Sequence, residues 1–180
     1  QLQDALVIEP TVHGDNRGWF MEVYSRERFD ALGIAFEAVQ SNRSFSAKKH
    51  TLRGLHCQTS PIEQAKLISC LRGVILDVAV DIREGSPTYL QHIAVELSGD
   101  NKKMLLVPRG FLHGFLTLTD DVEVEYKLDN AYSPVYDRSV CYRDPAFGIC
   151  WGAVSPVLSA KDAAAPLLKD SDVRFVYQSV

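Results

Sequence analysis

The sequence lacks long hydrophobic runs and an excess of basic charge. Its most apolar stretch is interrupted by Arg72, Asp77 and Asp81. The 180-residue sequence therefore contains no apolar run of the roughly 18 residues that a membrane-spanning helix needs. Residues 1–10 show no basic region followed by an apolar core, which argues against a signal peptide. The net charge is −4, whereas nucleic-acid-binding proteins usually carry a basic excess. We therefore expect a cytoplasmic protein that binds neither membranes nor nucleic acid.

Cysteine is scarce and the common cofactor motifs are missing. The four cysteines include no C-x-x-C pair, and a chain of 180 residues can fold without disulfides, so we expect reduced thiols. There is no G-x-S-x-G, G-x-x-x-x-G-K or G-x-G-x-x-G motif. There is also no H-x-H or H-x-x-x-H pair, although a metal site needs three or four converging ligands. The sequence therefore favours a protein without a metal or another cofactor.

Short strand-like segments separated by turn residues dominate the middle of the chain. They span 67–71, 74–82, 90–97, 104–107, 111–118 and 122–128. One helix is predicted over 26–32, capped by Ser25, with Phe29 and Leu32 spaced i, i+3, and stopped by Gly33. Because no helices separate the strands, we expect a single all-β domain over residues 1–180, an antiparallel sandwich or barrel with a few short helices.

The alternation of side chains along two of these strands indicates which polar groups point inward. In 122–128, Tyr126 shares a face with three apolar residues, while Glu and Lys occupy the other face, so Tyr126 belongs to the interior or to a pocket. In 74–82, Asp77 and Asp81 share a face with Ile75 and Ala79. These carboxylates are either solvated or, if that face lines a barrel interior, in need of partners.

Two histidines are candidates for chemistry. His56 enters a strand within RGLHCQ (53–58), and His113 follows a turn within PRGFLHGF (108–115), whereas His13, His50 and His92 have no suggestive neighbours and are expected at the surface or in loops. Each candidate imidazole is either a hydrogen-bonded packing residue or a proton acceptor. With the inward tyrosine, a lysine and several carboxylates, the histidines suit proton transfer next to a carbonyl, which needs a base, an acid and a donor for the enolate oxygen.

Several motifs occur in a fixed order along the chain. They are DNRGWF (15–20), LRGLH (52–56), QAKL (64–67), DVAVDIR (77–83), SPT (86–88), PRGFLHGF (108–115), EYK (125–127), YSP (132–134) and LSAKD (158–162). From about residue 9 to residue 169, this ordered set resembles the dTDP-4-dehydrorhamnose 3,5-epimerase family. The resemblance implies an antiparallel cupin, or jelly-roll, barrel, a dTDP-sugar substrate, acid–base epimerisation at C3 and C5 without a cofactor, and a homodimer.

The resemblance assigns the base to His56 and its orienting carboxylate to Asp162. A carboxylate that accepts one ring N–H fixes the tautomer and leaves the other nitrogen free to take a proton. Residues 159–162 (SAKD) also match the S-x-x-D pattern of a helix N-terminus, so the residues alone favour a capping role for Asp162.

The resemblance assigns the acid to Tyr126 and places Lys66 near the C4 keto oxygen, where an ammonium stabilises enolate charge. Without it, Tyr126 is equally a buried core tyrosine and Lys66 a solvated lysine. His113 and Asp77 match a second family pair, to which we assign a supporting role near the pocket.

The resemblance also implies a set of substrate-binding residues, partly supplied by the partner subunit of a dimer. Arginine forks suit diphosphate oxygens, and an aromatic face suits a pyrimidine ring. The residues are Arg17, Glu22, Gln40, Asn42, Arg53, Tyr132 and Lys161. Cys57 replaces an expected aromatic residue, and Trp19 and Asp137 are variations near the nucleotide region.

Three alternatives remain open at this point. A 3-epimerase or 5-epimerase acting on one carbon of a related 4-keto-6-deoxysugar would use the same residues. A metal-dependent cupin oxygenase would contain stoichiometric iron. A non-catalytic cupin would bind dTDP without exchanging protons.

Overall fold

The computed structural model of the chain describes residue 2 and residues 4–178. The strands are β1 (Leu6–Ile8), β2 (Val12–Asp15), β3 (Gly18–Met21), β4 (Gln40–Ser46), β5 (Leu52–Gln58), β6 (Lys66–Arg72), β7 (Val74–Asp81), β8 (Arg83–Glu84), β9 (His92–Ser98), β10 (Met104–Val107), β11 (Phe111–Thr117), β12 (Val122–Leu128), β13 (Asp137–Ser139) and β14 (Phe175–Val176). The helices are α1 (Arg26–Ala31) and α2 (Ala160–Ala163), and a short 3-10 helix covers Leu168–Asp170.

Two five-stranded sheets form the body of the protein. The first sheet has the order β1-β10-β6-β12-β4, and the second has the order β13-β5-β11-β7-β9. All pairings within both sheets are antiparallel. Except for β7 and β9, neighbours in each sheet are distant in sequence, as expected when one chain crosses repeatedly between two facing sheets. The predicted all-β jelly-roll class is confirmed.

Hydrophobic residues pack in three layers around these sheets. Between the sheets, Ile68 of the first sheet packs with Phe115 of the second. On the outer face of the second sheet, Val78 and Leu112 pack against Trp151 and Phe175 of the C-terminal segment. On the outer face of the first sheet, Leu67 and Met104 pack under α1 and its neighbours, through Phe29 and Phe36. The central strands are therefore buried on both faces, which explains their continuous apolar sequence.

The face shared by Asp77 and Asp81 is buried, and both carboxylates have partners. Asp77 is 0% exposed and accepts a hydrogen bond from His113. Asp81 is also 0% exposed and accepts hydrogen bonds from Arg83 and Ser86. The structure thus selects the interior alternative, with the partners that burial requires.

Most of the predicted strands are present in the structure, with small shifts at their ends. The segments 104–107 and 122–128 are strands with the predicted bounds. The predicted strand 90–97 begins only at His92, because Leu90 has a φ of +64° and belongs to the preceding turn. His92 is therefore a strand residue, whose Nδ1 lies 2.9 Å from the Phe147 carbonyl, and not the surface or loop residue expected.

The predicted helix and thiols are also found. The Ser25 side chain accepts a hydrogen bond from the Arg28 N–H, and Gly33 follows the helix with a φ of +71°. The helix ends at Ala31, one residue before the predicted end, and Leu32, spaced i, i+3 from the buried Phe29, is 74% exposed. All four cysteines are free thiols. No helix in the described part of the chain is long and apolar enough to cross a membrane.

Two glycines allow β5 and β11 to approach closely beside the candidate site. A Cβ on Gly114 would lie 2.8 Å from the Arg53 carbonyl oxygen, and one on Gly54 would lie 2.6 Å from the Gly114 Cα. Gly54 also has a φ of +127°, which residues with a side chain rarely adopt. At this point the register of the two strands shifts, and His113 stands directly opposite His56.

Candidate functional site

A cavity of about 600 Å³ opens between the two sheets. Its walls come from β4, β6 and β12 of the first sheet, from β5 and β11 of the second, and from the segment that leads into α2. Nine of the predicted residues line it: His56, Lys66, His113, Tyr126, Asp162, Asn42, Arg53, Tyr132 and Lys161.

His56 and Asp162 form a histidine–carboxylate pair on one wall. His56 Nε2 lies 2.5 Å from Asp162 Oδ1, and the Asp162 side chain is 4% exposed. Within the described residues, no side chain hydrogen-bonds His56 Nδ1, and the His56 ring keeps 30% of its surface exposed. The ring therefore has one nitrogen held by a carboxylate and the other available to a ligand in the cavity.

Asp162 combines the two roles that its sequence context suggested. The Ser159 side chain caps α2 by accepting a hydrogen bond from the Asp162 N–H at 3.0 Å. The Asp162 carboxylate is then directed at His56. Burial opposes ionisation, but hydrogen bonds and charge from His56, with help from Ser159 and the Gly54 backbone, lower the pKa of Asp162 overall. The carboxylate is therefore ionised where it meets the imidazole.

Tyr126 points into the cavity, in agreement with the inward face that the alternation along β12 predicted, and it lies on the wall opposite His56. It belongs to the first sheet, whereas His56 belongs to the second, so their side chains approach a ligand from different sides. Its hydroxyl is 2.8 Å from the Ser44 hydroxyl, and its ring lies edge-on to His113, with 6.4 Å between ring centroids. Burial raises the pKa of Tyr126 to about 12, although Ser44 and Arg53 partly oppose this rise. The residue is therefore a protonated phenol at neutral pH.

Lys66 lies at the start of β6 and reaches toward the second sheet. Its ammonium donates to the His56 backbone carbonyl at 3.4 Å. Burial lowers the pKa of Lys66, while Cys57 and the carboxylates of Asp137 and Asp77 partly raise it. Such an ammonium is weakly solvated, and its charge is available to an oxygen anion in the cavity.

A second histidine–carboxylate pair lies beside the first, with His113 on the strand next to that of His56. His113 Nε2 is 2.7 Å from Asp77 Oδ1, and their side chains are 5% and 0% exposed. Asp77 Oδ2 is buried without a hydrogen-bond partner in the described structure. His113 lines the cavity and Asp77 holds its Nε2, so the pair borders the site, and its supporting role stays a prediction.

The mouth of the cavity is formed by polar side chains joined by hydrogen bonds. The Asp137 carboxylate accepts from the Tyr132 hydroxyl at 3.0 Å and from the Lys161 ammonium at 2.5 Å. Gln40 does not line the cavity, but its side chain accepts from the Tyr132 N–H at 2.9 Å and donates to Asn42 at 3.0 Å. Gln40 therefore acts one contact away from the cavity.

Two predicted binding residues lie away from this cavity. Arg17 sits in the hairpin of β2 and β3, where its side chain is 85% exposed and pairs with Asp15. Glu22 pairs with Arg28 at 3.2 Å. The hairpin also exposes Phe20, with 70% of its surface accessible. Within this chain, the structure does not bring Arg17 and Glu22 to the other predicted residues.

The site thus combines a histidine–carboxylate pair, a partly buried phenol and a partly buried ammonium around one cavity. These are the groups that proton transfer beside a carbonyl requires. Among the residues that the structure describes, no group of three or more histidine, cysteine, aspartate or glutamate side chains converges as a metal site would need.

Comparisons with known proteins agree with this chemistry. The family model for dTDP-4-dehydrorhamnose 3,5-epimerase matches residues 1–170. The chain belongs to the dTDP-4-dehydrorhamnose 3,5-epimerase family. The family member from Salmonella typhimurium is 49% identical over 169 residues, which cover 93% of this chain and 92% of the relative.

Solved structures of relatives share the fold. The Legionella pneumophila 3,5-epimerase, solved in complex with dTDP-4-keto-L-rhamnose, is 44% identical with a TM-score of 0.93, over 99% of this chain and 96% of the relative. A 3'-monoepimerase from Streptomyces bikiniensis, in complex with dTDP-quinovose, is 36% identical with a TM-score of 0.86, over 93% and 85% of the two chains. One structural relative is thus named for epimerisation at a single position.

Some residues of the site escaped the sequence analysis. Ser44 contacts Tyr126, yet β4 was not predicted as a strand. Strand alternation would have placed Ser44 on the same face as Asn42, had β4 been recognised. Asp137 was noted as a variation near the nucleotide region, but its bridge between Tyr132 and Lys161 depends on tertiary packing.

Proposed function

We propose that this cavity epimerises C3 and C5 of dTDP-4-dehydro-6-deoxy-D-glucose to give dTDP-4-dehydro-L-rhamnose, a step in dTDP-L-rhamnose biosynthesis. The observation that carries the proposal is the placement of the His56–Asp162 pair and the Tyr126 hydroxyl on opposite walls of one cavity. Inversion at carbon requires that the proton leave one face and return on the other.

In this proposal His56 is the base. The hydrogens on C3 and C5 are acidic because removal of either gives an enolate conjugated with the C4 ketone. His56 Nδ1 takes the proton while Asp162 holds Nε2 and stabilises the imidazolium that forms. No side chain among the described residues hydrogen-bonds His56 Nδ1, so this nitrogen is available to take a proton when substrate binds.

Lys66 stabilises the enolate oxygen. Its lowered pKa reflects an ammonium that is poorly solvated in the free enzyme, so an anion beside it gains strongly from the charge. His113, oriented by Asp77, supports the same region from the second sheet.

Tyr126 returns a proton from the opposite face. Its raised pKa keeps the phenol protonated until a basic carbanion forms nearby. Because C3 and C5 flank the same ketone, one base and one acid can serve both carbons in succession.

The proposed homodimer explains the two predicted binding residues, Arg17 and Glu22, that neither line the cavity nor contact a residue that does. Arg17 and Glu22 lie at or near a hairpin that exposes aromatic side chains and makes no contact with this chain's cavity. In the proposal, the hairpin of the partner subunit brings its arginine to the diphosphate, while Arg53, Asn42, Tyr132 and Lys161 bind from within the chain. We also propose a cytoplasmic location, as the sequence analysis expected.

Incubation of the enzyme with dTDP-4-dehydro-6-deoxy-D-glucose tests the proposal directly. Proton NMR coupling constants of the product report the configuration at C3 and C5, and both carbons should be inverted. The Streptomyces bikiniensis relative favours one alternative, a single-position epimerase, which would invert only one carbon. Binding of the substrate without inversion at either carbon would refute the proposal.

A further inference from the structure

We propose that the Ser44 hydroxyl acts through Tyr126, orienting its hydroxyl and returning a proton to it between the two inversions. The inference rests on the proposed function and adds to it a residue that allows one acid to serve two carbons. Ser44 is a positioning residue, since it contacts the proposed acid and not the reacting carbons.

The geometry joins the two hydroxyl groups across neighbouring strands. Tyr126 on β12 pairs in register with Asn42 on β4, and Ser44 is the diagonal neighbour on the same face. At this spacing a long aromatic side chain reaches its diagonal partner, and the two oxygens lie 2.8 Å apart. Among the described residues, Ser44 is the one side chain that hydrogen-bonds the Tyr126 hydroxyl.

The direction of this hydrogen bond matters for the reaction. When Ser44 donates to the Tyr126 oxygen, the phenolic hydrogen is free to point into the cavity toward the substrate carbon. When proton transfer leaves a phenolate, the same donor bonds a charged oxygen, which strengthens the hydrogen bond. Accordingly, Ser44 lowers the pKa of Tyr126 against the larger effect of burial.

Each inversion changes the protonation of His56 and Tyr126 in opposite directions. After the first inversion, His56 carries an extra proton and Tyr126 has lost one, so both must be reset before the second carbon reacts. His56 keeps 30% of its side chain exposed and can release its proton to solvent. The Tyr126 oxygen faces the cavity, which the substrate fills.

Ser44 supplies a route for the missing proton. Its O–H bond breaks as the new O–H bond forms on the phenolate, and a solvent water gives a proton to the Ser44 oxygen, leaving hydroxide that neutralises the proton released from His56. Ser44 lies on β4, the edge strand of the first sheet, so no further strand of this sheet separates it from solvent. Ser44 itself keeps part of its surface exposed.

The test compares Ser44→Val with Ser44→Thr, which have nearly the same shape and differ in the hydroxyl. Both β-branched residues suit a strand. Ser41→Ala is the matched control, because Ser41 is on the same strand but bonds Glu125 and does not line the cavity. Each variant is mixed with the 4-keto sugar nucleotide, and proton NMR follows singly and doubly inverted products over time.

We expect Ser44→Val to release singly inverted product and to form the doubly inverted product about 10- to 100-fold more slowly. Ser44→Thr and Ser41→Ala should behave as the wild type to within about threefold. The inference is overturned if Ser44→Val slows both inversions equally, if it changes neither, or if Ser44→Thr is as impaired as Ser44→Val. If the wild type itself fails to invert both carbons, it is the proposed function that fails.

Discussion

Replacement of Asp162 by asparagine isolates the contribution of the orienting carboxylate to the base. The substitution keeps the size of the side chain and the backbone N–H that Ser159 caps, so α2 should form as before. It removes a charge that lies 2.5 Å from His56 Nε2 with only 4% of its side chain exposed, where solvent screens little.

The loss follows from the energy of one charged hydrogen bond. Such bonds contribute about 1.5–3 kcal/mol. The imidazolium that forms during proton transfer loses this stabilisation, which predicts a fall in kcat of about 10- to 150-fold. The assay is the rate of product formation under saturating substrate, followed by NMR.

Asp144→Asn provides the control for removing a buried carboxylate elsewhere. Asp144 is 6% exposed and accepts hydrogen bonds from the backbone of Ala146 and Leu168, away from the cavity. This variant should lose stability and keep its kcat. If Asp162→Asn also kept a wild-type kcat, the role of Asp162 in orienting the base would be refuted.

Further variants test three other parts of the structure. Tyr126→Phe should retain part of the deuterium exchange at C3 and C5 while inversion fails, as NMR in D₂O would show; equal loss of both would mean that the acid is wrongly assigned. Lys66→Met should lower kcat about 10²- to 10³-fold while raising the melting temperature, because a poorly solvated charge is removed. In the wild type, kcat should fall when rising pH deprotonates Lys66, and this fall should begin below the ordinary lysine range because burial lowers the pKa of Lys66. Lys66→Arg should move the alkaline limb of the pH–kcat profile to higher pH, because an arginine stays charged. An alkaline limb that does not move would contradict the assignment. Gly114→Ala should cost about 1–3 kcal/mol in unfolding free energy, because its Cβ would lie 2.8 Å from the Arg53 carbonyl; Gly14→Ala, whose Cβ has only an ordinary contact, is the control.

The strands that the sequence predicted well share a physical feature. The segments 104–107 and 122–128 are apolar or alternating and end at proline, glycine or aspartate residues, so their limits are local. By contrast, β4 (Gln40–Ser46) is an edge strand with mostly exposed polar side chains and no alternation of hydrophobicity. The strands β2 and β3 were not predicted for the same reason, since their hairpin is exposed throughout most of its length.

The site shows a different limit of sequence reasoning. Alternation alone placed Tyr126 on an inward face, because that property belongs to a single strand. The contact of His56 with Asp162 joins residues 106 positions apart, and only the resemblance to a family indicated it. The residues alone favoured a helix cap at 159–162, and the structure shows that the cap and the contact coexist because they use different groups of the same residue.

Solvent exchange with and without His56 tests the central claim most directly. Wild-type enzyme in D₂O should incorporate deuterium at both C3 and C5 of the 4-keto sugar nucleotide, and His56→Asn, folded and able to bind dTDP, should incorporate it at neither on the same timescale. Exchange at both carbons at the wild-type rate in His56→Asn would contradict the account, because the proton would then leave to some other group.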